Sequence, residues 1–272
     1  VMAALRPVKR TLRRLKISGW KGNWRDLTLP CFPPRAKAMI HTSHAPMLVF
    51  DLDGTLAETA GDLTNTLNVI LEREGLAPVS LAEARQMVGA GARALIQRGF
   101  AAEGRSVDGA KLDQLFADFL DHYEAHIADV SHLYDGVVAA LDRFEAAGFS
   151  FAVCTNKVEV PSKKLLKALK VDHRFKAICG QDTFKDNGRN IAKPDPRMLL
   201  MTIDLAGGHH ANTIMVGDSR TDIDTAKAAQ IPVVAVDFGY TDQHVSTFAP
   251  DIVISHFDQL WDAVSQIAKT RV

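Results

Sequence analysis

The chain has 272 residues, of which 47% are hydrophobic and 24% charged, with 32 basic and 32 acidic side chains. This composition is typical of an ordinary folded protein and excludes pervasive disorder and small disulfide-stapled scaffolds. The sequence has no run of about 18 apolar residues, no secretory signal and no CxxC spacing among its three cysteines, so we expect a cytoplasmic protein with reduced thiols and no membrane partner.

The first 46 residues differ in charge from the rest of the chain. They hold 10 Lys or Arg and one acid, which leaves 22 basic and 31 acidic residues beyond them. A basic arm for nucleic acid or a membrane surface, and an organelle transit peptide, are open interpretations. We favour a basic, irregular N-terminal extension (residues 1–46) without a catalytic role, with Met39 or Met47 as alternative starts, and we do not expect nucleic acid as a partner.

From Met47 onward, short apolar runs alternate with amphipathic stretches. The apolar runs predict buried parallel strands at Met47 to Phe50, Phe149 to Cys154, Thr213 to Val216, Val233 to Val236 and Ile252 to Ile254. The amphipathic stretches predict helices at Val137 to Ala147, Ser162 to Leu169, Pro196 to Leu205, Thr221 to Ala229 and Phe257 to Ala268. This alternation predicts an α/β fold with a doubly wound, mostly parallel, Rossmann-like sheet as its core.

A helical stretch interrupts this alternation. Its periodicity predicts helices at Leu63 to Glu74, Leu81 to Met87, Arg93 to Phe100 and Lys111 to Ile127, and it contains no convincing strand. We therefore predict an inserted helical cap domain at residues 58–133 within an α/β catalytic core formed by residues 47–57 and 134–272.

Two aspartates follow the first predicted strand. Residues i and i+2 of an extended chain share a face, so Asp51 and Asp53 project together at the carboxyl end of the strand, where open α/β sheets bind ligands. Two carboxylates this close repel each other unless a cation or a proton lies among them. Aspartate and glycine are also common in simple turns, so the segment alone is only suggestive.

Other predicted strand ends carry further polar residues. Asp218 and Asp222 follow the third strand and can share one side of a first helical turn, although helix capping alone would also explain them. Thr155 and Asn156 follow the second strand and offer hydroxyl and amide groups suited to phosphate oxygens. Lys193 precedes a helix and can neutralise both a carboxylate and a phosphoryl group.

Taken together, these segments resemble the four motifs of phosphatases of the haloacid dehalogenase superfamily, in order and spacing. The resemblance extends from residue 47 to the C-terminus. Within the superfamily, Val88 to Ala92, Tyr134 to Val137 and Thr155 to Lys157 resemble the phosphoglycolate phosphatase subgroup. Glu58-Thr59 and Asp135 depart from the pattern of that subgroup.

The resemblance implies a Mg²⁺-dependent phosphatase that acts on a small phosphorylated substrate, with 2-phosphoglycolate expected. It implies that Asp51 is the nucleophile and forms an aspartyl phosphate, and that Asp53 is the general acid and base. Mg²⁺ would be bound by Asp51, the backbone carbonyl of Asp53, and Asp218. The same chemistry on pyrophosphate, a sugar phosphate or a nucleotide, and a non-catalytic binding module, remain open alternatives.

The resemblance also implies roles for residues around these aspartates. Lys193, Thr155 and Asn156 would hold the phosphoryl oxygens, with Lys193 offsetting the charge that develops in the transition state. Thr55 would orient the first motif. Asp222 would support the metal site without binding the ion directly.

The glycines of the cap domain are candidates for substrate recognition. Gly89 and Gly91 would let backbone amides approach a small carboxylate, with Arg93 as its charge partner. A plain loop between two helices, with a solvated arginine, is an equally good interpretation. The sequence leaves the oligomeric state open.

Overall fold

The computed structural model describes residues 45–241 and 243–270. The predicted extension therefore lies outside the described residues, apart from its last two positions. Within the described ranges the strands are β1 Met47–Phe50, β2 Ala57–Glu58, β3 His132–Leu133, β4 Ser150–Cys154, β5 Phe175–Cys179, β6 Lys185–Asp186, β7 Arg189–Asn190, β8 Thr213–Gly217, β9 Val233–Val236 and β10 Ile252–Ile254.

The helices follow the predicted pattern closely. They are α1 Ala60–Arg73, α2 Leu81–Met87, α3 Ala92–Ala102, α4 Gly109–Ala125, α5 Val137–Ala146, α6 Glu159–Ala168, α7 Pro196–Leu205, α8 Arg220–Ala228 and α9 Leu260–Thr270. Among the residues that the structure describes, none of these helices combines the length and apolarity needed to cross a membrane.

Six strands form one parallel sheet in the order β10-β9-β8-β1-β4-β5. From the central strand β1, the chain builds the sheet outward to β4 and β5 on one side and then to β8, β9 and β10 on the other. This confirms the predicted doubly wound α/β fold. The strand order reverses beside β1, so the carboxyl end of β1 lies at the switch point where such sheets bind ligands.

Both faces of the sheet are covered, which explains the nearly continuous apolar runs of its strands. Leu48 and Phe50 of β1 pack in one apolar cluster with residues of α5, α6 and α9. Met47 and Val49 point to the opposite face and pack with residues of α7 and α8. The burial of alternate residues on opposite faces fixes the register of β1 in the sheet.

Helices α1 to α4 bury an apolar cluster of their own, which includes Leu67, Ile96 and Phe119. Strands β2 and β3 pair in antiparallel fashion where the chain leaves the core and where it returns. The sequence predicts no strand here, because two-residue strands are too short to produce a periodic pattern. The sequence pattern does not predict strand β5 either, because this strand is at the edge of the sheet and its exposed Lys176 interrupts the apolar run.

Candidate active site

Three aspartates converge at the carboxyl edge of the sheet. Asp51 follows β1 and donates its backbone N–H to the carbonyl of Val216 in β8 at 2.9 Å, which holds the two strand ends together. Asp218 follows β8, and Asp222 lies in the first turn of α8. Asp51, Asp218 and Asp222 are all buried, and each offers one carboxylate oxygen within 4.8 Å of the others.

Burial of this acidic cluster penalises its negative charge. Burial, together with the carboxylates of Asp222 and Asp53 and against the attraction of Lys193, raises the pKa of Asp51 to about 6. Burial and the nearby carboxylates of Asp222 and Asp51 raise the pKa of Asp218 well above its usual value. The cluster is therefore electrostatically suited to a bound cation.

Lys193 supplies one positive charge from within the protein. Its Nζ lies 2.9 Å from Asp51 Oδ1 and 2.5 Å from Asp222 Oδ1. Although burial opposes its charge, Asp222 and Asp51 raise the pKa of Lys193, so the ammonium form is retained. Asn156 fixes the lysine backbone, since its Oδ1 accepts from the Lys193 N–H at 2.9 Å and its Nδ2 donates to the Lys193 carbonyl at 3.1 Å.

Hydrogen bonds orient both Asp218 and Asp222. Thr55 donates its hydroxyl to Asp218 Oδ1 at 3.0 Å, and the backbone N–H of Tyr240 donates to Asp218 Oδ2 at 2.6 Å. Asp222 Oδ2 accepts from the hydroxyl of Ser219 at 2.7 Å and from its backbone N–H at 3.1 Å, which caps α8. Asp222 therefore caps the helix and is also a member of the acidic cluster.

Two glycines leave the space that Asp218 occupies. Gly54 has a φ of +84°, a conformation that favours glycine, and a Cβ at this position would overlap the Asp218 carboxylate. A Cβ at Gly239 would overlap the same side chain. Asp218 therefore depends on close backbone approach from two separate segments.

The acidic cluster has the donor set of a hard-cation site. Asp51 Oδ1 is buried, and its contact with Lys193 at 2.9 Å is not a well-aligned hydrogen bond, so lone pairs of this carboxylate stay free for a cation. Carboxylate oxygens with a lone pair to spare are the ligands that Mg²⁺ and Ca²⁺ prefer. By contrast, both oxygens of Asp222 are engaged by Lys193 and Ser219.

Asp53 projects from the same turn towards a buried lysine. Its Oδ1 accepts from the Thr59 hydroxyl at 2.7 Å, and Lys157 Nζ lies 3.0 and 3.2 Å from its two oxygens. The Lys157 ammonium also lies 4.3 Å from the ring centroid of Tyr123 in α4. Although burial opposes the charge, Asp53 and Tyr123 raise the pKa of Lys157.

Comparison with known families identifies this arrangement. Residues 48–236 match the family described as haloacid dehalogenase-like hydrolase. The chain belongs to this family. The match spans most of the α/β core and the whole helical insertion, from β1 to the end of β9.

Relatives agree with this assignment. A phosphoglycolate phosphatase of Mesorhizobium japonicum is 54% identical over 215 residues, which cover 79% of this chain and 92% of that protein. One from Agrobacterium fabrum is 42% identical over 220 residues, covering 81% and 92%. The crystal structure of a predicted phosphoglycolate phosphatase from Haemophilus somnus superposes with a TM-score of 0.73 at 26% identity, covering 80% of this chain and 97% of that one.

A cavity between the core and the helical insertion of this hydrolase contains the two N-terminal aspartates. On the core side it is lined by Asp51, Asp53, Thr155, Asn156, Lys157, Val158 and Pro161, and on the insertion side by Leu63, Val88, Gly89, Gly91, Ala92, Leu95, Phe119, Leu120 and Tyr123. The predicted substrate glycines thus reach the cavity. A Cβ on Gly91 would lie 3.1 Å from the Asn156 carbonyl, so the insertion approaches the core closely here.

Arg93 lies away from the cavity in this structure. It does not line the cavity; its guanidinium lies 2.7 Å from Asp113 and 4.3 Å from the ring centroid of Phe116, and 44% of its side chain is exposed. At the start of α3 its side chain points towards α4 rather than into the cavity, which favours the alternative interpretation of a solvated arginine.

The site includes residues for which the sequence analysis assigned no role. Glu58 Oε1 accepts from the Tyr240 hydroxyl at 2.5 Å, and Glu58 forms an ion pair with Arg85 of α2. Although burial opposes it, the hydrogen bonds from Tyr240 and Arg85 lower the pKa of Glu58. Tyr240 and Glu58 are 182 positions apart, and the one signal for Tyr240 is its place just after a strand end.

Proposed function

We propose that this protein is a Mg²⁺-dependent phosphatase that hydrolyses 2-phosphoglycolate to glycolate and phosphate. The observation that carries the proposal is the position of Asp51, at the switch point of the sheet, beside Lys193 at 2.9 Å and with Asp53 facing the same cavity. The substrate is supported by the names of the relatives, of which the Mesorhizobium japonicum protein is 54% identical.

The metal site would use Asp51, the backbone carbonyl of Asp53, and Asp218. Their hard oxygen donors, the spare lone pair of Asp51 Oδ1 and the raised pKa values of Asp51 and Asp218 support this set. When bound, Mg²⁺ would offset the combined negative charge of the carboxylates and the phosphoryl group. Asp222, whose oxygens are engaged, would instead hold Lys193 in place.

In the first half-reaction, a carboxylate oxygen of Asp51 attacks phosphorus in line and forms an aspartyl phosphate. The bond between phosphorus and the bridging oxygen breaks, and Asp53 gives that oxygen a proton, which releases glycolate. Lys193 and the hydroxyl of Thr155 stabilise the charge on the phosphoryl oxygens. The Thr155 oxygen already accepts from the Lys157 N–H at 3.2 Å, which leaves its proton free to donate.

In the second half-reaction, Asp53 accepts a proton from water as the water oxygen attacks the aspartyl phosphate. Phosphate leaves and Asp51 is regenerated. Thr59 holds Asp53 in position through its hydroxyl at 2.7 Å. The side-chain amide of Asn156 is bonded at both ends to the Lys193 backbone, so it would position that lysine.

The helical insertion, residues 58–133, would act as the cap that covers the reacting groups. Its side of the cavity is mostly apolar, with Leu63, Leu95 and Phe119 facing the aspartates. Exclusion of water by such a wall strengthens the interactions with the phosphoryl group and delays hydrolysis until glycolate has left.

The experiment is phosphate release by the Mg²⁺-loaded protein over a panel of 2-phosphoglycolate, sugar phosphates, nucleotides and pyrophosphate. We expect the protein to prefer 2-phosphoglycolate. The Asp51→Asn variant should stay folded but should not turn this substrate over. Asp172→Asn, an isosteric change in a partly exposed residue far along the chain, is the matched control. Preference for another ester would overturn the substrate, and no turnover of any ester would overturn the enzymatic function.

A further inference from the structure

The cavity contains a buried polar group without a well-aligned hydrogen bond. Tyr123 is 1% exposed, and its hydroxyl makes no well-aligned hydrogen bond with the described residues, although the Lys157 ammonium lies beside it. Buried hydroxyl groups are nearly always satisfied, so an orphaned one that lines a cavity indicates that a ligand completes it. Tyr123 lines the same cavity as Asp51 and Asp53.

Lys157 lies beside this tyrosine and supplies a positive charge. Its ammonium has three N–H groups, and its well-aligned hydrogen bonds among the described residues go to Asp53, at 3.0 and 3.2 Å. The ring of Tyr123, with its centroid 4.3 Å away, holds the ammonium on the cavity side. A buried cation and a free phenol therefore lie next to each other.

The rest of the cavity offers little else to a charged substrate group. Apart from Asp51, Asp53, Thr155 and Asn156, which act in the phosphoryl chemistry or position its residues, Lys157 and Tyr123 are the polar side chains among its described lining residues. The other lining side chains are apolar, and the cavity glycines add backbone groups. An anionic group placed against the apolar lining would lose its water and would have no cation to offset that cost.

We propose that Lys157 and Tyr123 form a carboxylate subsite that recognises the second anionic group of the substrate. The inference rests on the proposed function. Lys157 contacts Asp53, and Asp53 gives its proton to the bridging oxygen. In 2-phosphoglycolate a single methylene separates that oxygen from the carboxylate. The subsite thus selects small phosphomonoesters that carry an acid one carbon away from the ester.

The test compares two substrates that differ in the carboxylate, 2-phosphoglycolate and ethyl phosphate. Tyr123→Phe removes the orphaned hydroxyl and leaves no cavity, so the protein should keep its melting temperature. We expect kcat/KM for 2-phosphoglycolate to fall at least about tenfold, mainly through KM, because a hydrogen bond to a charged group is lost. The value for ethyl phosphate should stay within about twofold.

Two further variants separate recognition from structure. Tyr134→Phe is the matched control, since its hydroxyl lies 3.2 Å from Glu58 and it does not line the cavity, and it should leave the substrate ratio unchanged. Lys157→Gln should reduce the preference for 2-phosphoglycolate more than Lys157→Arg, which keeps the charge.

The outcomes distinguish this inference from the proposed function. If the wild-type protein does not prefer 2-phosphoglycolate to ethyl phosphate, the proposed substrate and the subsite both fail. If the wild-type preference is present but Tyr123→Phe leaves the ratio unchanged, or lowers both substrates equally, the subsite alone is overturned.

Discussion

Lys193 places its Nζ 2.5 Å from Asp222 Oδ1, so the ammonium forms a buried ion pair with a residue that also caps a helix. The same ammonium approaches Asp51 at 2.9 Å. One lysine thus compensates two buried carboxylates, and under the proposed function it also stabilises the phosphoryl group. We therefore expect its loss to affect folding as well as catalysis.

Lys193→Met should lower stability by roughly 3–5 kcal/mol at pH 8, because it leaves buried carboxylates unpaired. The loss should be smaller at pH 5, since a carboxyl without its cation takes up a proton more readily and becomes neutral. Urea denaturation at the two pH values measures this difference. Lys163→Met, which breaks an exposed ion pair with Glu159, is the control and should cost under about 1 kcal/mol at both. Equal losses for Lys193→Met at both pH values would contradict the expectation.

The metal-free protein should become more dependent on a cation as the pH rises. The folded pKa of Asp51 is about 6 against 3.8 for the free side chain, so the folded state binds its proton more tightly. Stability is therefore highest when this group is protonated and decreases as the pH rises through that range, by up to about 3 kcal/mol. Asp218 acts in the same direction.

Thermal unfolding with and without Mg²⁺ tests this dependence. The rise in Tm on adding Mg²⁺ should be larger at pH 7.5 than at pH 5, because the ion binds the deprotonated carboxylates. Asp51→Asn should be more stable relative to the wild type at pH 7.5 than at pH 5 in the absence of metal. A Mg²⁺ effect that is independent of pH, or that survives in Asp218→Asn, would argue against the site.

Arg85 connects the helical insertion to the core. It pairs with Glu58, where the chain enters the insertion, and its Nη2 donates to the Phe238 carbonyl in the core at 3.3 Å. Arg85→Ala should raise KM for 2-phosphoglycolate several-fold with little loss of stability, since the pair is partly exposed. Arg98→Ala, which breaks a bond to the Met87 carbonyl inside the insertion, is the control. Identical kinetics for the two variants would show that Arg85 does not help the insertion close.

Gly239→Ala should weaken the metal site without unfolding the protein, because the added methyl group would displace Asp218. The Mg²⁺ concentration that gives half-maximal activity should increase at least about tenfold, as expected when a ligand is misplaced. Gly207→Ala is the control, since it adds a methyl group in open space, at a positive φ that disfavours a side chain. It should lower Tm slightly and leave the Mg²⁺ requirement unchanged. Equal Mg²⁺ requirements in the two variants would show that the space left by Gly239 does not position Asp218 for the metal.

Local sequence information is enough for the strands that carry the site. Met47 to Phe50 is buried on both faces, which produces an uninterrupted apolar run, and Asp51 follows it directly. The polar residues after β4 and β8 are found in the same way, because parallel strands bring their carboxyl ends to one edge. Strand β5 is less visible, since an edge strand keeps one face in water and alternates with polar residues.

The sequence by itself determined the parallel core, the inserted helices and the acids at the strand ends, because each depends on neighbours a few residues away. Tertiary structure decided which basic side chain pairs with which acidic one. Lys157 pairs with Asp53 across 104 positions, whereas Arg93 pairs with Asp113 on the surface. It also brought Tyr123 into the cavity. Such pairings depend on how the helical insertion packs against the sheet, and no periodicity along the chain encodes that contact.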